Sequence, residues 1–309
     1  MITPYHRAIV VAVATYYALL RTDIQELCCP NDKDGRATRR RISQVLEMGL
    51  IGKCRMEVVN PADHEAPMPA YFPTLKGLEW LAADTGDESW LLKCCLPPSW
   101  TKLRHWNAIA KWHILLDKAA GLRTDASIGG WLNEWDRQRD PKGAKPDETY
   151  MLYTLVTEKP KVVCAPDAAF RLCVGPHAKT HYVEIDRETS GINQIAASKT
   201  PGYAALLAKQ LHRRHFETTS DAFWVLSVSY TPGRRDLLKR ALRGKPGCEL
   251  WKFAAWSDLT PDNLLTGPVW HRCQGEPGPL VKTAGAPVSA GNPVSAGSPG
   301  VRPAVVPPG

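Results

Sequence analysis

The chain has 309 residues and a formal net charge of +8, from 39 Lys and Arg against 31 Asp and Glu. Hydrophobic residues make up 44% and charged residues 23%, a composition that excludes a mostly disordered chain and a polytopic membrane protein. The excess of positive charge is compatible with a polyanionic partner such as nucleic acid.

The cysteines and the longest apolar run both help to predict the cellular compartment of the protein. The nine cysteines include no pair with the CxxC spacing of zinc sites, and scattered thiols are typical of a reducing environment. The apolar run from Ala8 to Leu20 is shorter than the about 20 residues needed to span a bilayer. No small-x-small cleavage motif follows it. The sequence therefore predicts a cytoplasmic protein with no membrane partner.

Residues 1–85 have the pattern of a winged helix-turn-helix DNA-binding domain. Apolar residues at helical spacing predict a first helix up to Leu20, and turn chemistry separates the next two helices. The later predicted elements are a third helix over 36–48, a strand over 50–59, a returning strand over 70–72 and a closing helix over 74–81. Three helices, a hairpin and a closing helix are the element order of a winged helix.

Four arginines occupy the face of the third predicted helix opposite its apolar residues: Arg36, Arg39, Arg40 and Arg41. A helix of this kind fits the DNA major groove, where cations meet phosphates and base edges. Residues 1–98 nevertheless hold 11 Lys and Arg against 12 Asp and Glu. A solvated basic helix face and a protein-docking winged helix therefore remain open alternatives.

The rest of the chain divides into a helical connector over 86–150, an α/β domain over 151–272 and a tail over 273–309. The α/β domain has the order strand-strand-strand-helix-strand-helix-strand, with strands predicted at 151–157, 162–172, 180–186, 222–229 and 251–256. Its first helix, over 192–216, is broken or restarted at Pro201-Gly202. The tail is rich in Pro and Gly, contains a six-residue near-repeat, and is predicted to be disordered.

The α/β domain also contains the candidate metal ligands Asp167, Glu184 and Asp186. Glu184 and Asp186 are two positions apart on one predicted strand and therefore project from the same face, which Asp167 on a neighbouring strand could join. Converging carboxylates repel each other, and a hard cation such as Mg²⁺ would relieve that repulsion. Lys199, on the following helix, is the candidate for stabilising charge on a scissile phosphate. Glu134 could supply a further acid from a preceding helix.

This layout resembles the core of PD-(D/E)xK nucleases, in which an Asp and a second acid on successive strands bind metal and a Lys assists. The position two residues after Glu184 is Asp186 rather than Lys, so Lys199 would be a displaced lysine. Carboxylates at strand ends are also often solvated or paired with arginine, and Arg187 is adjacent. A catalytically inactive version of the same fold therefore remains open beside the active one.

Several segments together resemble the replication-relaxation family of plasmids and other mobile elements. They are the run Pro166–Phe170, the run Tyr182–Thr189 with its E-x-D-R-E-T pattern, Lys199 with Tyr203, and the strand Phe223–Leu226 leading to Arg234-Arg235. The resemblance covers roughly residues 5–270. It implies a role in plasmid replication and relaxation of plasmid DNA, and a second domain similar to nuclease folds.

The sequence thus predicts an N-terminal winged helix followed by a restriction-endonuclease-like α/β domain. The expected function is that of a DNA-binding replication-relaxation protein, in its enzymatic form a Mg²⁺-dependent DNA nickase or endonuclease. The alternative is an inactive DNA-binding regulator or replication accessory protein. The expected partners are double-stranded DNA and plasmid replication or mobilisation proteins.

Overall fold

The computed structural model describes residues 2–56, 68–138, 145–188 and 191–281. The chain divides into two compact units, formed by the described residues of Met1–Leu115 with Trp135–Gly143 and of Leu116–Glu134 with Ala144–Gly309. Helices and sheets occur in both units, which confirms the predicted mixed α/β class. No helix in the described ranges combines the length and the apolar character needed to cross a membrane.

The first unit contains helices around a small antiparallel sheet whose strand order is β1-β3-β2. Its elements in chain order are α1 (Pro4–Tyr16), β1 (Leu19–Leu20), α2 (Arg21–Cys28), α3 (Arg36–Glu47), β2 (Ile51–Met56), β3 (Met68–Pro73) and α4 (Leu75–Thr85), and α5 (Trp100–Gly121) follows. Ile9, Val13 and Ile24 are fully buried in its core because the apolar faces of α1 and α2 point inward. The predicted order of helices and hairpin strands is confirmed, but the first helix ends at Tyr16, and Leu20, which was predicted to belong to it, lies in β1. Residues 57–59 of the predicted strand lie outside the described ranges.

Helix α3 has one buried face and one charged face. Thr38, Ile42 and Val45 are buried, as expected for positions three and four residues apart on a helix. Asp32 accepts hydrogen bonds from the backbone N–H of Thr38, at 2.6 Å, and of Ala37, at 3.4 Å, and so satisfies donors at the start of the helix. Because the turn after α3 has a left-handed glycine, Gly49, the chain can reverse directly into β2.

The second unit is built on a five-stranded mixed sheet of order β10-β9-β8-β7-β4. Its elements in chain order are β4 (Ala126–Asn133), β5 (Thr154–Thr157), β6 (Val162–Cys164), β7 (Ala168–Val174), β8 (His177–Asp186), α6 (Ile192–Ala208), β9 (Trp224–Ser229), α7 (Pro232–Leu242), β10 (Trp251–Ala255) and α8 (Pro261–Leu264). Strands β8, β9 and β10 are parallel, while β4, β7 and β8 are joined in antiparallel register. Strands β5 and β6 form a separate two-stranded sheet.

Helices α6 and α7 connect the three parallel strands, as parallel pairing requires. Tyr182, Tyr203 and Trp251 are fully buried in the core of this unit. Helix α6 continues through Pro201 without interruption and ends at Ala208, before Gln210 adopts a left-handed backbone with φ of 53°. The predicted break at Pro201 is therefore wrong.

One predicted strand is two strands in the structure. The segment predicted as a single strand over 162–172 forms β6 and β7, which belong to different sheets. The interruption over 165–167 contains Pro166, which has no backbone N–H to donate to a ladder. Asp167 consequently lies immediately before β7 rather than within a strand.

Two further segments differ from their predicted structure. Residues 131–133, for which the sequence left helix and strand open, belong to β4, and Glu134 follows this strand rather than lying on a helix. Cys273 and Val281, placed in the disordered tail by composition, are buried, and the backbones of Trp270 and Gly278 pair. The remainder of the predicted tail, 282–309, lies outside the described residues.

Candidate functional site

Asp167 is anchored beside strand β8 by its backbone and its side chain. Its N–H donates to the carbonyl of Val183, at 3.2 Å, and its Oδ2 accepts from the N–H of Ile185, at 2.7 Å. Because Val183 and Ile185 flank Glu184, these two bonds hold the Asp167 carboxylate next to Glu184. The segment between β6 and β7 thus positions Asp167 beside Glu184, a role that the sequence predicts for a strand.

Glu184 is a buried carboxylate with a partner on each oxygen. Its exposed fraction is 8%, Lys199 Nζ lies 2.6 Å from Oε2, and the Tyr203 hydroxyl donates to Oε1 at 2.6 Å. Lys199 and Tyr203 are four residues apart on α6 and therefore project from the same face of that helix. Helix α6 delivers both partners to one carboxylate.

Lys199 joins the two carboxylates into one cluster. Its Nζ lies 3.8 Å from Asp167 Oδ1 and 3.2 Å from the carbonyl oxygen of Ala165, in addition to its contact with Glu184. The structure therefore brings together three of the four predicted site residues. We call Asp167, Glu184, Lys199 and Tyr203 the acidic cluster.

Burial and charge act together on the acidic cluster. Burial raises the pKa of Glu184 to about 7, with Asp167 adding to the increase and Lys199 opposing it. Burial opposes the positive charge of Lys199, but the neighbouring carboxylates of Glu184 and Asp167 outweigh it and raise the pKa of the ammonium group. The lysine is therefore charged, and it balances part of the negative charge that the two acids would carry.

Asp186 has a different partner from Glu184. Its Oδ2 accepts from Arg234 Nε at 2.6 Å, its Oδ1 from Arg234 Nη2 at 3.1 Å, and Oδ1 also accepts the N–H of Glu188 at 3.1 Å. Arg234 projects from the first turn of α7. Asp186 therefore forms an ion pair that joins β8 to α7, and it does not share the partners of Glu184.

Glu134 lies close to Asp167, although it does not come from a helix. Its N–H donates to the carbonyl of Asp167 at 2.9 Å, and carboxylate oxygens of the two residues lie within 4.8 Å of each other. The antiparallel pairing of β4 with β7 produces this proximity, since Asn133 is in register with Ala168. Glu134 is thus a further candidate oxygen donor beside the acidic cluster.

The arginines of α3 differ in how far they are available to a partner. Arg36, Arg39 and Arg40 are exposed, and Arg36 forms a surface ion pair with Asp34 at 3.2 Å. Arg41 is half-buried: its guanidinium lies 3.5 Å from the centroid of the Tyr5 ring, and its Nη1 is 3.1 Å from Cys29 Sγ.

Two partners in the second unit were not assigned a role by residue patterns. Tyr203 could have been found from its spacing, because it lies one helical turn after Lys199. Arg234 carries no such signal, since its distance from Asp186 along the chain reflects the whole β8-α6-β9-α7 connection.

Comparison with known proteins identifies one family. A family model described as replication-relaxation matches residues 18–220. Neither the curated proteins nor the solved structures give a match. The matched range includes Asp167, Glu184 and Lys199, together with α3.

Proposed function

Because the chain belongs to the replication-relaxation family, we propose that it is a cytoplasmic DNA-binding protein that acts in the replication or relaxation of a plasmid or mobile element. The family connects the chain with replication and relaxation. The mode of DNA binding and the chemistry are inferences from the two units, each considered separately.

DNA binding is assigned to the first unit, as a winged helix with α3 in the major groove. This proposal is supported by the element order of the unit and by the exposed guanidinium groups of Arg36, Arg39 and Arg40. Arg41 contributes mainly by fixing α3 against Tyr5 of α1. The partner would be double-stranded DNA, and other replication or mobilisation proteins would be recruited to the complex.

The DNA-binding assignment is tested with Arg39→Ala/Arg40→Ala in a salt titration of duplex affinity. We expect weaker binding and a salt slope reduced by about 1 for each phosphate that is no longer neutralised. The control Arg7→Ala/Arg123→Ala removes two arginines that are paired with Asp84 and Asp125. If both variants bind duplex as the wild type does, α3 is not the reading helix and a protein-docking role is favoured.

Catalysis is assigned to the acidic cluster, as metal-dependent hydrolysis of a phosphodiester. The single observation that carries this proposal is the position of Lys199 Nζ, 2.6 Å from Glu184 and 3.8 Å from Asp167. Two carboxylates and a lysine near the carboxyl end of β8 are the groups that such a reaction uses.

A magnesium ion suits the oxygen donors available there. Asp167 and Glu184 would hold it, with Glu134 as a further oxygen donor, because hard divalent cations prefer carboxylate oxygens. Bound there, the ion would supply Lewis-acid activation of water and of the phosphate. Lys199 would stabilise negative charge that develops on the phosphate, and Tyr203 would orient Glu184 through its hydrogen bond.

The test is the conversion of supercoiled plasmid to relaxed circles with Mg²⁺. We expect nicking by the wild type, and none by Asp167→Asn/Glu184→Gln, which preserves the shape of both side chains. The control Asp221→Asn/Glu249→Gln removes two exposed acids of the same unit and should nick as the wild type does. Equal nicking by all three proteins would place the activity elsewhere.

A second candidate function is that of a DNA-binding regulator with an inactive nuclease fold. The observation that favours it is that both carboxylate oxygens of Glu184 already accept hydrogen bonds within the chain, from Lys199 and from Tyr203. DNA binding without nicking by the wild type, across several divalent metals and with a cognate plasmid, would establish this alternative over the enzymatic one.

A further inference from the structure

Three cations surround one half-buried tryptophan in the second unit. Lys179 Nζ lies 4.5 Å, Lys252 Nζ 4.7 Å and the Arg272 guanidinium carbon 5.0 Å from the centroid of the Trp224 ring. We call these four residues the Trp224 cluster. Cation–π attraction to the indole holds the three charged groups at one place.

Strand register places Lys179, Trp224 and Lys252 on the face of the sheet opposite Glu184. Trp224 is in register with His181, which is two residues from Lys179 and three from Glu184 on β8. Lys252 is in register with Leu226, two residues after Trp224, and therefore shares its face. Because side chains alternate along a strand, Lys179 and Glu184 project in opposite directions.

Lys179 and Arg272 are the two cations of the Trp224 cluster that solvent reaches, and neither is paired with an acidic side chain in the part of the chain that the structure describes. Neither forms an ion pair with a carboxylate there, and Lys252, 8% exposed, donates to the carbonyl of Pro279 at 3.1 Å. Burial lowers the pKa of Lys179, and the charge of Arg272 lowers it further. Like charges held this close repel one another, so an anion bound among them would be stabilised.

We propose that the Trp224 cluster binds a phosphate group of the DNA backbone, as a contact additional to the arginines of α3. The inference rests on the proposed DNA-binding function. Arg272 is exposed and Lys179 is half-buried, so a phosphate can reach both from solvent, while the buried Lys252 supports them from within. A guanidinium and ammonium groups are the usual phosphate ligands, and they carry no sequence specificity in this role. The contact would therefore strengthen binding to all duplexes alike.

The test compares Lys179→Gln/Arg272→Gln with the charge-matched control Lys161→Gln/Lys245→Gln, whose two lysines are exposed on the same unit. Lys252 is left intact because its substitution could unfold the sheet. Affinity for a labelled duplex is measured over a range of salt concentrations with the full chain. We expect the affinity of the first variant to fall about tenfold and its salt slope to fall by about 1, for one phosphate, uniformly across DNA sequences. The control should be affected much less.

The outcomes separate this inference from the function on which it rests. Duplex binding that is equally strong, and equally salt-dependent, in both variants would overturn the Trp224 contact while leaving DNA binding by α3 intact. Calorimetry measures whether the wild type binds inorganic phosphate by itself. Phosphate binding by a wild type that binds no duplex would overturn the DNA contact in favour of a free-phosphate site. A wild type that binds neither would overturn both proposals.

Discussion

The two faces of the five-stranded sheet carry opposite charge, and they balance it in different ways. On one face, Glu184 and Asp186 meet cations delivered by the helices that follow, Lys199 from α6 and Arg234 from α7. On the other face, Lys179 and Arg272 of the Trp224 cluster have no carboxylate partner in the described part of the chain. The acidic face is therefore largely neutralised within the fold, whereas the basic face is arranged for an anion from outside.

On each face, burial makes one titratable group resist ionisation. Burial raises the pKa of Glu184 to about 7, and Asp167 adds to this increase. Burial lowers the pKa of His181 to about 3; the hydrogen bond to the Lys179 carbonyl opposes this decrease, and the charges of Lys179 and Lys252 add to it. The two effects have one cause, since a desolvated group resists ionisation most strongly beside charges of the same sign.

The largest expected effect comes from removing the acid at the centre of the acidic face. Glu184→Ala leaves the Lys199 ammonium and the Tyr203 hydroxyl without their buried acceptor, and we expect the free energy of unfolding to fall by about 3 kcal/mol. Urea denaturation measures this change. The double variant Glu184→Ala/Lys199→Ala should lose less free energy of unfolding than the two single variants together. The second substitution removes the ammonium group that has lost its closest acceptor. Additive losses would show that the pair is not coupled.

The sequence was sufficient for the composition of the acidic face but not for its pairing. Alternation along β8 placed Glu184 and Asp186 on one side. Lys199 and Tyr203 were connected only by the family resemblance, although their spacing of four residues on one helix would have related them. The sequence could not show that Arg234 pairs with Asp186, because this contact depends on how α7 packs against the sheet after the β8-α6-β9 connection. Asp167 was predicted correctly as a neighbour of Glu184, but from a strand that it does not belong to. Hydrogen bonds from its N–H and to its carboxylate hold it beside β8.

The basic face was more difficult to predict. Lys179, Trp224, Lys252 and Arg272 lie on three strands and a later loop, and no local pattern connects them. The registers of β8 with β9 and of β9 with β10 bring the first three together, and the bridge between Phe253 and His271 places Arg272 beside them. In the first unit, by contrast, the exposed arginines of α3 followed from local periodicity, since the apolar face of a single helix determines its polar face.

A second prediction concerns the close approach that delivers Lys199. Gly202 lies on α6 where a Cβ atom would stand 2.6 Å from the carbonyl oxygen of Val163, so Gly202→Ala must displace the helix from β6. We expect a loss of about 2 kcal/mol in unfolding free energy, as for overpacking of a core. Gly233→Ala on α7 is the control, because a Cβ atom added there would meet nothing within 4 Å beyond its chain neighbours and the backbone of its own helix. Equal stability of the two variants would refute the tight approach.

A third prediction uses pH to test the basic face. The pKa of His181 is about 3 in the fold, and that of an unfolded histidine is near 6.5. Between these values the unfolded chain binds a proton that the folded chain does not. Stability from this group is therefore complete above pH 6.5 and decreases as the pH falls, by about 1.4 kcal/mol per pH unit.

The measurement is urea denaturation at pH 7 and pH 5 of the wild type and of His181→Phe, which can keep the stacking of this ring on Phe170. We expect the variant to lose less stability on acidification than the wild type, by the contribution of one histidine. His177→Phe, at the exposed start of the same strand, should respond to acid as the wild type does. An unchanged pH dependence in His181→Phe would mean that the imidazole takes up its proton without unfolding.

The smallest expected effect concerns the second ion pair of the acidic face. Arg234→Lys retains the charge but cannot form both bonds to Asp186, so we expect a loss of about 1 kcal/mol in unfolding free energy. Arg213→Lys, at an exposed pair with Asp221, should change stability hardly at all because water already screens that pair. If the acidic cluster cleaves DNA as proposed, plasmid nicking should persist in Arg234→Lys and in Asp186→Asn, since Asp186 is paired with Arg234. Loss of nicking in Asp186→Asn, with stability and DNA affinity retained, would return Asp186 to the metal ligands and make the acidic face a single site.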